Sequence, residues 1–234
     1  MAKSKTRKKK RVPHVAADLS TVDGRRRARR ELIWGDHGFL RLRFQNLHRI
    51  SDEMWRSNQP SPEHIARHAS DRGLRTIVNL RGQSTKGYYL LEKEACAAHG
   101  IDLVDFQVFS RDTPTRETIF AAGELFERIR YPALMHCKSG ADRAGIMSVL
   151  YMLLRQGADI ETAIEQLSLK YLHVEAGKTG VLDAVFKAYR SFRNHTPKPF
   201  LDWVAEDYDR LAIKTAFMAS FESRMNLDKL LGRE

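Results

Sequence analysis

No stretch of this sequence approaches eighteen consecutive apolar residues, so no segment reads as a membrane-spanning helix. The basic start leads into no apolar run with a small-residue cleavage site, and a secretory signal is therefore not expected. Cysteine is scarce: Cys96 and Cys137 are too few for a disulfide framework and, without an export signal, read as thiols in a reducing compartment. The expectation is a cytoplasmic protein whose basic end could rest peripherally on the inner membrane face. No cluster of His, Asp and Glu has metal-ligand spacing, so neither a metal nor another cofactor is expected. Acidic charge is missing at one end only. Residues 1–30 hold twelve Lys or Arg against Asp18 and Asp23, whereas the remainder holds 28 basic and 27 acidic groups. The net charge of +11 thus describes a tail, and the body is close to neutral.

The tail carries the runs Lys8-Lys9-Lys10-Arg11 and Arg25-Arg26-Arg27-Ala28-Arg29-Arg30 and holds few large apolar residues, none of them aromatic. Such a segment cannot bury enough surface to offset its ordering entropy, which predicts a basic, largely disordered tail over residues 1–35. It reads either as a solubilising segment or, through residues 1–30, as one drawn to an anionic membrane surface. No aromatic residues are interleaved to stack on bases, which argues against a nucleic-acid partner.

From about residue 40 the pattern turns globular. Leu42–Ile50 and Met54–Ser57 read as short strands, and a helix opens at Ser61-Pro62-Glu63 with Ser61 as its N-cap. Leu74–Leu80 is rich in β-branched residues and suits a buried strand, followed by a helix over Tyr88–His99 that Gly100 ends. Ile101–Phe109 is a further strand, and Thr113-Pro114 opens a helix to Arg130. Pro132–His136 is a short apolar strand and Gly145–Leu154 a core helix. Helical patterns continue at 159–171, 178–193 and 199–230. Strands alternating with helices predict an α/β fold with a mostly parallel central sheet of about four to five strands flanked by helices. We place one domain at 40–195 and a C-terminal helical extension at 197–234, after the Pro197-Lys198-Pro199 break.

The segment between the last strand and its helix is the most informative. Cys137 and Arg143 bracket a loop entering a helix N-terminus, with Gly140 inside. Such a loop can turn successive N–H groups toward one point and make an anion nest, to which the helix dipole adds positive potential. A cysteine at its mouth has its thiolate favoured and is a ready nucleophile. Arg143 can bind two phosphate oxygens at once, which a lysine cannot reproduce, and Gly140 lets the backbone curl.

His136-Cys137-Lys138-Ser139-Gly140-Ala141-Asp142-Arg143 resembles the His-Cys-x5-Arg signature of the cysteine-dependent protein tyrosine and dual-specificity phosphatases. Trp55-Arg56-Ser57-Asn58-Gln59-Pro60 and Thr76-Ile77-Val78-Asn79-Leu80-Arg81 are similar to upstream strands in compact, bacterial-type members. The resemblance covers roughly residues 45–192. It implies a hydrolase acting on a phosphorylated protein or lipid through a cysteinyl-phosphate intermediate, with no metal. In that reading Cys137 is the nucleophile and Arg143 the phosphate clamp. Backbone amides of Lys138, Ser139, Gly140, Ala141, Asp142 and Arg143 hold the oxygens, and His136 orients the loop. Where members of the family commonly carry Ser or Thr after the Arg, this chain has Ala144, which bears on the speed of the second step.

Two residues compete for the general acid that dephosphorylation requires. Asp112, in Ser110-Arg111-Asp112-Thr113-Pro114, occupies the family's position; it also reads as a charge ahead of a helix capped by Thr113. Asp142 lies inside the loop, beside a thiolate and a dianion, so it must be protonated or point away. Cys96, on a helix flanked by alanines, reads as an inert core thiol. The alternatives to a phosphotyrosine or dual-specificity phosphatase are a phosphoinositide or phosphorylated glycolipid phosphatase, which Lys138 would favour, and a catalytically weak phosphate-binding module.

Overall fold

The computed structural model describes residues 15–41 and 43–230; the Lys8–Arg11 run, Leu42 and residues 231–234 lie outside them. Met54–Ser57 (β2), Thr76–Asn79 (β3), Asp102–Asp105 (β4) and Ala133–His136 (β5) form parallel strands, and His48–Arg49 (β1) adds an antiparallel edge. The order across the sheet is β1-β2-β5-β3-β4. The apolar run at β5 thus becomes a central strand with all four residues buried. The intervening segments fold as α3 (Pro62–Arg72), α4 (Gly87–Ala98), α5 (Arg116–Arg128) and α6 (Asp142–Leu154). Successive strand residues point to opposite faces. Ile77 and Leu134 accordingly meet Ile65 of α3 and Cys96 of α4, whereas Val78 and Met135 meet Phe126 of α5 and Met147 of α6. Burial pushes the Cys96 thiol pKa up, consistent with an inert core residue.

Several elements are shorter than the sequence pattern predicts. Leu42–Ile50 yields only β1, because the chain before it is helical at Gly38–Arg41 (α2) and Asn46 adopts a positive φ of 45°. The strand expected over Ile101–Phe109 pairs only as β4. The helix expected to open at Thr113-Pro114 is capped instead by Thr115, whose side chain accepts from the Thr118 amide, and it starts at Arg116. Asp112 therefore sits in a loop. The pattern at 159–171 contracts to Ile160–Ile164 (α7) and a 3-10 turn, Leu169–Tyr171.

Both chain ends depart from the expected division. The described part of the segment read as a disordered tail is folded: Thr21 caps helix Val22–Arg30 (α1), which runs into a π-helical turn, Glu31–Gly35. Ala17, Ala28 and Leu32 pack on Leu91 of α4, and Arg25 grips Glu94 through two bonds of 2.8 and 2.7 Å. Gly87 allows the approach, since a Cβ there would lie 2.3 Å from the Ala28 carbonyl oxygen. At the other end, Val181–His195 (α8) is followed by Phe200–Glu206 (α9) and Arg210–Leu230 (α10). Phe200, Trp203, Val204 and Tyr208 lie in the main core, and Tyr189 of α8 packs edge-on against Phe200 at 5.0 Å. The Pro197–Pro199 break therefore does not separate an appended piece. No helix among the described residues is long and apolar enough to cross a membrane.

In the register of the parallel strands, Ser57, His136, Asn79 and Asp105 stand side by side at the carboxyl ends. That edge is where open α/β sheets take ligands, and the loop after the central strand opens onto it.

Candidate active site

β5 ends at His136 and α6 begins at Asp142, so residues 137–141 form the entire connection. Cys137 is buried, with 1% exposure. Each of the next four carbonyls is drawn away by a donor. Lys138 O accepts from the Gln59 amide at 3.4 Å, and Ser139 O from Asn46 Nδ2 at 3.0 Å. Gly140 O and Ala141 O accept from Arg56 Nη2 at 2.9 and 2.8 Å. The carbonyl and N–H of one planar peptide unit point in opposite directions, so pinning these carbonyls outward turns the amides of residues 139–142 inward. The Gly140 N–H duly points at Cys137 Sγ, 3.2 Å away. The result is a nest at the N-terminus of a thirteen-residue helix.

Arg56 is the central support. Its side chain is wholly buried, donates also to Gln166 O at 2.7 Å and Oε1 at 3.1 Å, and lies 4.2 Å over the Tyr171 ring. Burial pushes its pKa down to about 10, which leaves it charged at neutral pH. Gly140 has φ +76°, and a Cβ there would come within 2.7 Å of the Asn58 nitrogen, so backbone conformation and space both require glycine. The side chain of Arg143, half-buried in the first turn of α6, has no hydrogen bond or ion pair to the other described residues. Its guanidinium is free to take an anion. Ala144 supplies no hydroxyl; Ser148, one turn on, donates to the Ala144 carbonyl at 2.6 Å.

Beneath Cys137 a buried polar chain runs outward. His136 Nε2 lies 2.6 Å from Glu92 Oε1, close enough for an ion pair but out of line for a hydrogen bond. Glu92 accepts from Gln59 Nε2 at 2.9 Å, and Gln59 accepts from Arg81 Nη1 at 2.6 Å. Arg81 binds both oxygens of Asp36 at 2.8 Å, and Arg41 reaches Asp36 Oδ2 at 2.6 Å. Burial alone would raise the Asp36 pKa, but Arg81 and Arg41 hold it below the usual carboxylate range. Lys138 points toward this group, 3.7 Å from Asp36 Oδ1 and 3.4 Å from His37 Nδ1. Nothing in the local pattern singled out Asp36, Arg41 or Glu92.

The two candidate acids have different partners. Asp112 Oδ1 lies 3.0 Å from both Arg210 Nη2 and Lys214 Nζ of α10. These contacts are ion pairs rather than well-aligned hydrogen bonds. Partial burial would raise the Asp112 pKa, but the two cations bring it below the ordinary value. No hydrogen bond or ion pair among the described residues links Asp112 to residues 137–143. Asp142 instead meets His173, with Oδ1 2.7 Å from Nδ1, while His173 Nε2 lies 2.7 Å from Asp183 Oδ2. His173 comes from irregular chain 31 residues downstream and carried no sequence signal. Burial would lower its pKa, but hydrogen bonds that its ring donates to Asp142 and Asp183 raise it to about 9.

The His173 shift has a sign that can be checked. A folded-state pKa above the ordinary 6.5 stabilises the protein fully below that value and loses its contribution as pH rises through about 9. Wild-type thermal stability is expected to decline across that window, and the decline should be much shallower in His173→Gln. Parallel slopes for the two proteins would remove His173 as the source.

The sequence matches, over residues 45–183, the family described as a DSP-PTPase phosphatase fused to NAD+ kinase. This match spans more than half of the chain, which belongs to that family and is a cysteine-based phosphatase, a hydrolase acting on a phosphorylated substrate. Among solved structures, P. aeruginosa TpbA is 17% identical with a TM-score of 0.50, over 72% of this chain and 91% of that one. The core catalytic domain of the PP-IP phosphatase SIW14 from S. cerevisiae is 18% identical with a TM-score of 0.49, over 65% and 95%. At such identities the likeness to TpbA speaks for the fold alone. No curated protein matches the sequence.

Proposed function

We propose that the chain hydrolyses phosphate monoesters with Cys137 as nucleophile. The carrying observation is the set of four consecutive carbonyls pinned outward around a buried cysteine. The Cys137 thiolate attacks phosphorus and the bond to the leaving oxygen breaks. Charge on the phosphoryl oxygens is met by the inward amides and by Arg143. Water then attacks the cysteinyl-phosphate, releasing inorganic phosphate and restoring the thiolate.

The leaving oxygen needs a proton, and Asp142 is the better placed donor. Asp112 is held ionised by two cations of α10 and has no hydrogen bond or ion pair to the loop, whereas Asp142 belongs to the loop and touches an imidazole whose pKa is raised to about 9 and which can supply a proton. At neutral pH the Asp142–His173 pair therefore carries a proton at the edge of the loop. It gives this proton to the leaving group and recovers one from the attacking water. The test is hydrolysis of phenyl phosphate and para-nitrophenyl phosphate, with EDTA present, by wild type, Asp142→Asn and Asp112→Asn. Phenoxide is the poorer leaving group, so Asp142→Asn should lose about 10²-fold or more on phenyl phosphate and less on the nitrophenyl ester. Asp112→Asn should stay within about threefold of wild type on both. The reverse ranking would make Asp112 the acid, and activity that EDTA abolishes would refute the metal-free mechanism.

A further inference from the structure

We propose that the rim built from residues 34–44 docks this phosphatase on an anionic bilayer, so that the loop works on phosphate monoesters carried by lipid headgroups. The inference rests on the catalytic reading above for its substrate, but not for the docking itself.

The rim owes its shape to one turn. His37 takes a left-handed backbone, φ 61°, between the π-helical turn and α2. Asp36 is thereby directed inward to Arg81 and Arg41. Its neighbours face water: Trp34 is 65% exposed, Phe39 41%, Leu40 62% and Phe44 55%. Trp34 and Phe39 form one surface, their ring centroids 5.6 Å apart. Exposed apolar residues scattered singly need no explanation, but four large ones within eleven residues, tryptophan included, mark a surface meant to be covered.

This surface is joined to the phosphate loop. Lys138 reaches Asp36 and His37, and Asn58 donates to the Phe44 carbonyl at 2.7 Å. Asn46, just past the rim, holds the Ser139 carbonyl. Whatever covers the rim therefore lies beside the mouth of the nest.

Charge selects the occupant. Arg43 stands within the rim and Lys138 at its edge, and the chain ahead, residues 1–30, carries twelve Lys or Arg against two Asp. Apolar and aromatic side chains beside Arg43 and Lys138, with a basic segment ahead of them in the sequence, match the boundary between anionic headgroups and acyl chains. Either signal alone gives weak, reversible attachment, whereas the two together hold a protein at the surface. A phosphopeptide accounts for the cations but leaves the exposed apolar rim unexplained.

The test compares wild type with the triple variant Trp34→Ser/Leu40→Ser/Phe44→Ser, which changes only the three most exposed of these side chains. Wild type should sediment with vesicles of phosphatidylcholine plus phosphatidylglycerol but not with phosphatidylcholine alone, and salt should weaken the binding. Brominated acyl chains should quench part of its tryptophan emission, because Trp34 enters the boundary while Trp55, packed partly buried on the sheet, and Trp203, in the core, do not. The triple variant should bind at least about tenfold more weakly and lose the quench, with unchanged melting temperature and para-nitrophenyl phosphate turnover. Wild type should also dephosphorylate a vesicle-borne phosphatidylinositol phosphate faster than the same inositol phosphate free in solution, and the variant should lose that preference. Failure of wild type to bind anionic vesicles, or undiminished binding by the variant, overturns the docking. Binding without any turnover of the aryl ester would instead overturn the catalytic reading. Faster hydrolysis of a soluble phosphotyrosine peptide than of the vesicle-borne lipid would overturn the substrate assignment.

Discussion

Changing Cys137 to serine is expected to lower aryl phosphate hydrolysis by about 10⁴-fold or more while leaving the fold at least as stable. The hydroxyl fits where the thiol sits, within reach of the Gly140 amide that now points at sulfur. It cannot ionise at neutral pH, however, and an alcohol with no base beside it is a poor nucleophile. Among the hydrogen-bond partners described, Cys137 has only the Gly140 amide, so no side chain is placed to activate a serine. Serine also keeps an acceptor for that amide, so no donor is left stranded. The prediction is read from turnover and a thermal melt together. Residual turnover above about one per cent of wild type would sink the nucleophile assignment. Lost turnover with an unfolded protein would mean that the cysteine was needed for packing.

Replacing Arg56 by methionine is expected to destabilise the protein by about 3–5 kcal/mol and lower its melting temperature by about 10 °C. Exchanging a buried ion pair for apolar side chains is often neutral, because both partners leave together. That escape is closed here. The partners of Arg56 are the carbonyls of Gly140, Ala141 and Gln166, which belong to the backbone and remain. An acceptor left buried without a donor costs about 1–3 kcal/mol. The peptide units of Gly140 and Ala141 would also be free to rotate, so the inward amides lose their fixed direction and turnover should fall by about 10²-fold. Arg56→Lys is the informative companion: it restores the charge but not the fork that reaches three carbonyls at once. It should recover little of either loss. A methionine variant that melts within a degree or two of wild type and turns over normally would show that the loop holds its own shape.

The parts legible from sequence are those whose physics is local. An apolar run bounded by a loop and a long apolar helix predicts β5, the connection and α6, and the glycine in that connection predicts its curl. The α/β alternation was legible for the same reason, since periodicity is set over a few neighbouring residues. Element ends were not, because a strand stops where its partner does: β4 ends with the pairing to β3, not where its own β-branched residues run out. The arginine-rich helix α1 was read as a tail because its anchoring residues are few, and their partner, Leu91, lies on a distant helix.

The sequence by itself determined that a cysteine, a curling glycine and an arginine meet at the entry to one helix, since six residues of backbone hold them together. Tertiary structure alone decided what turns the loop inside out, what charges the two candidate acids face, and that Asp36 and His37 come within reach of Lys138. Those outcomes depend on Arg56 reaching residues 84 to 110 positions away, on His173 meeting Asp142 across 31, and on Lys214 meeting Asp112. Contacts over such separations leave no period or spacing in a single chain. They exist only once the parallel strands, stacked in register, have brought four carboxyl ends to one edge.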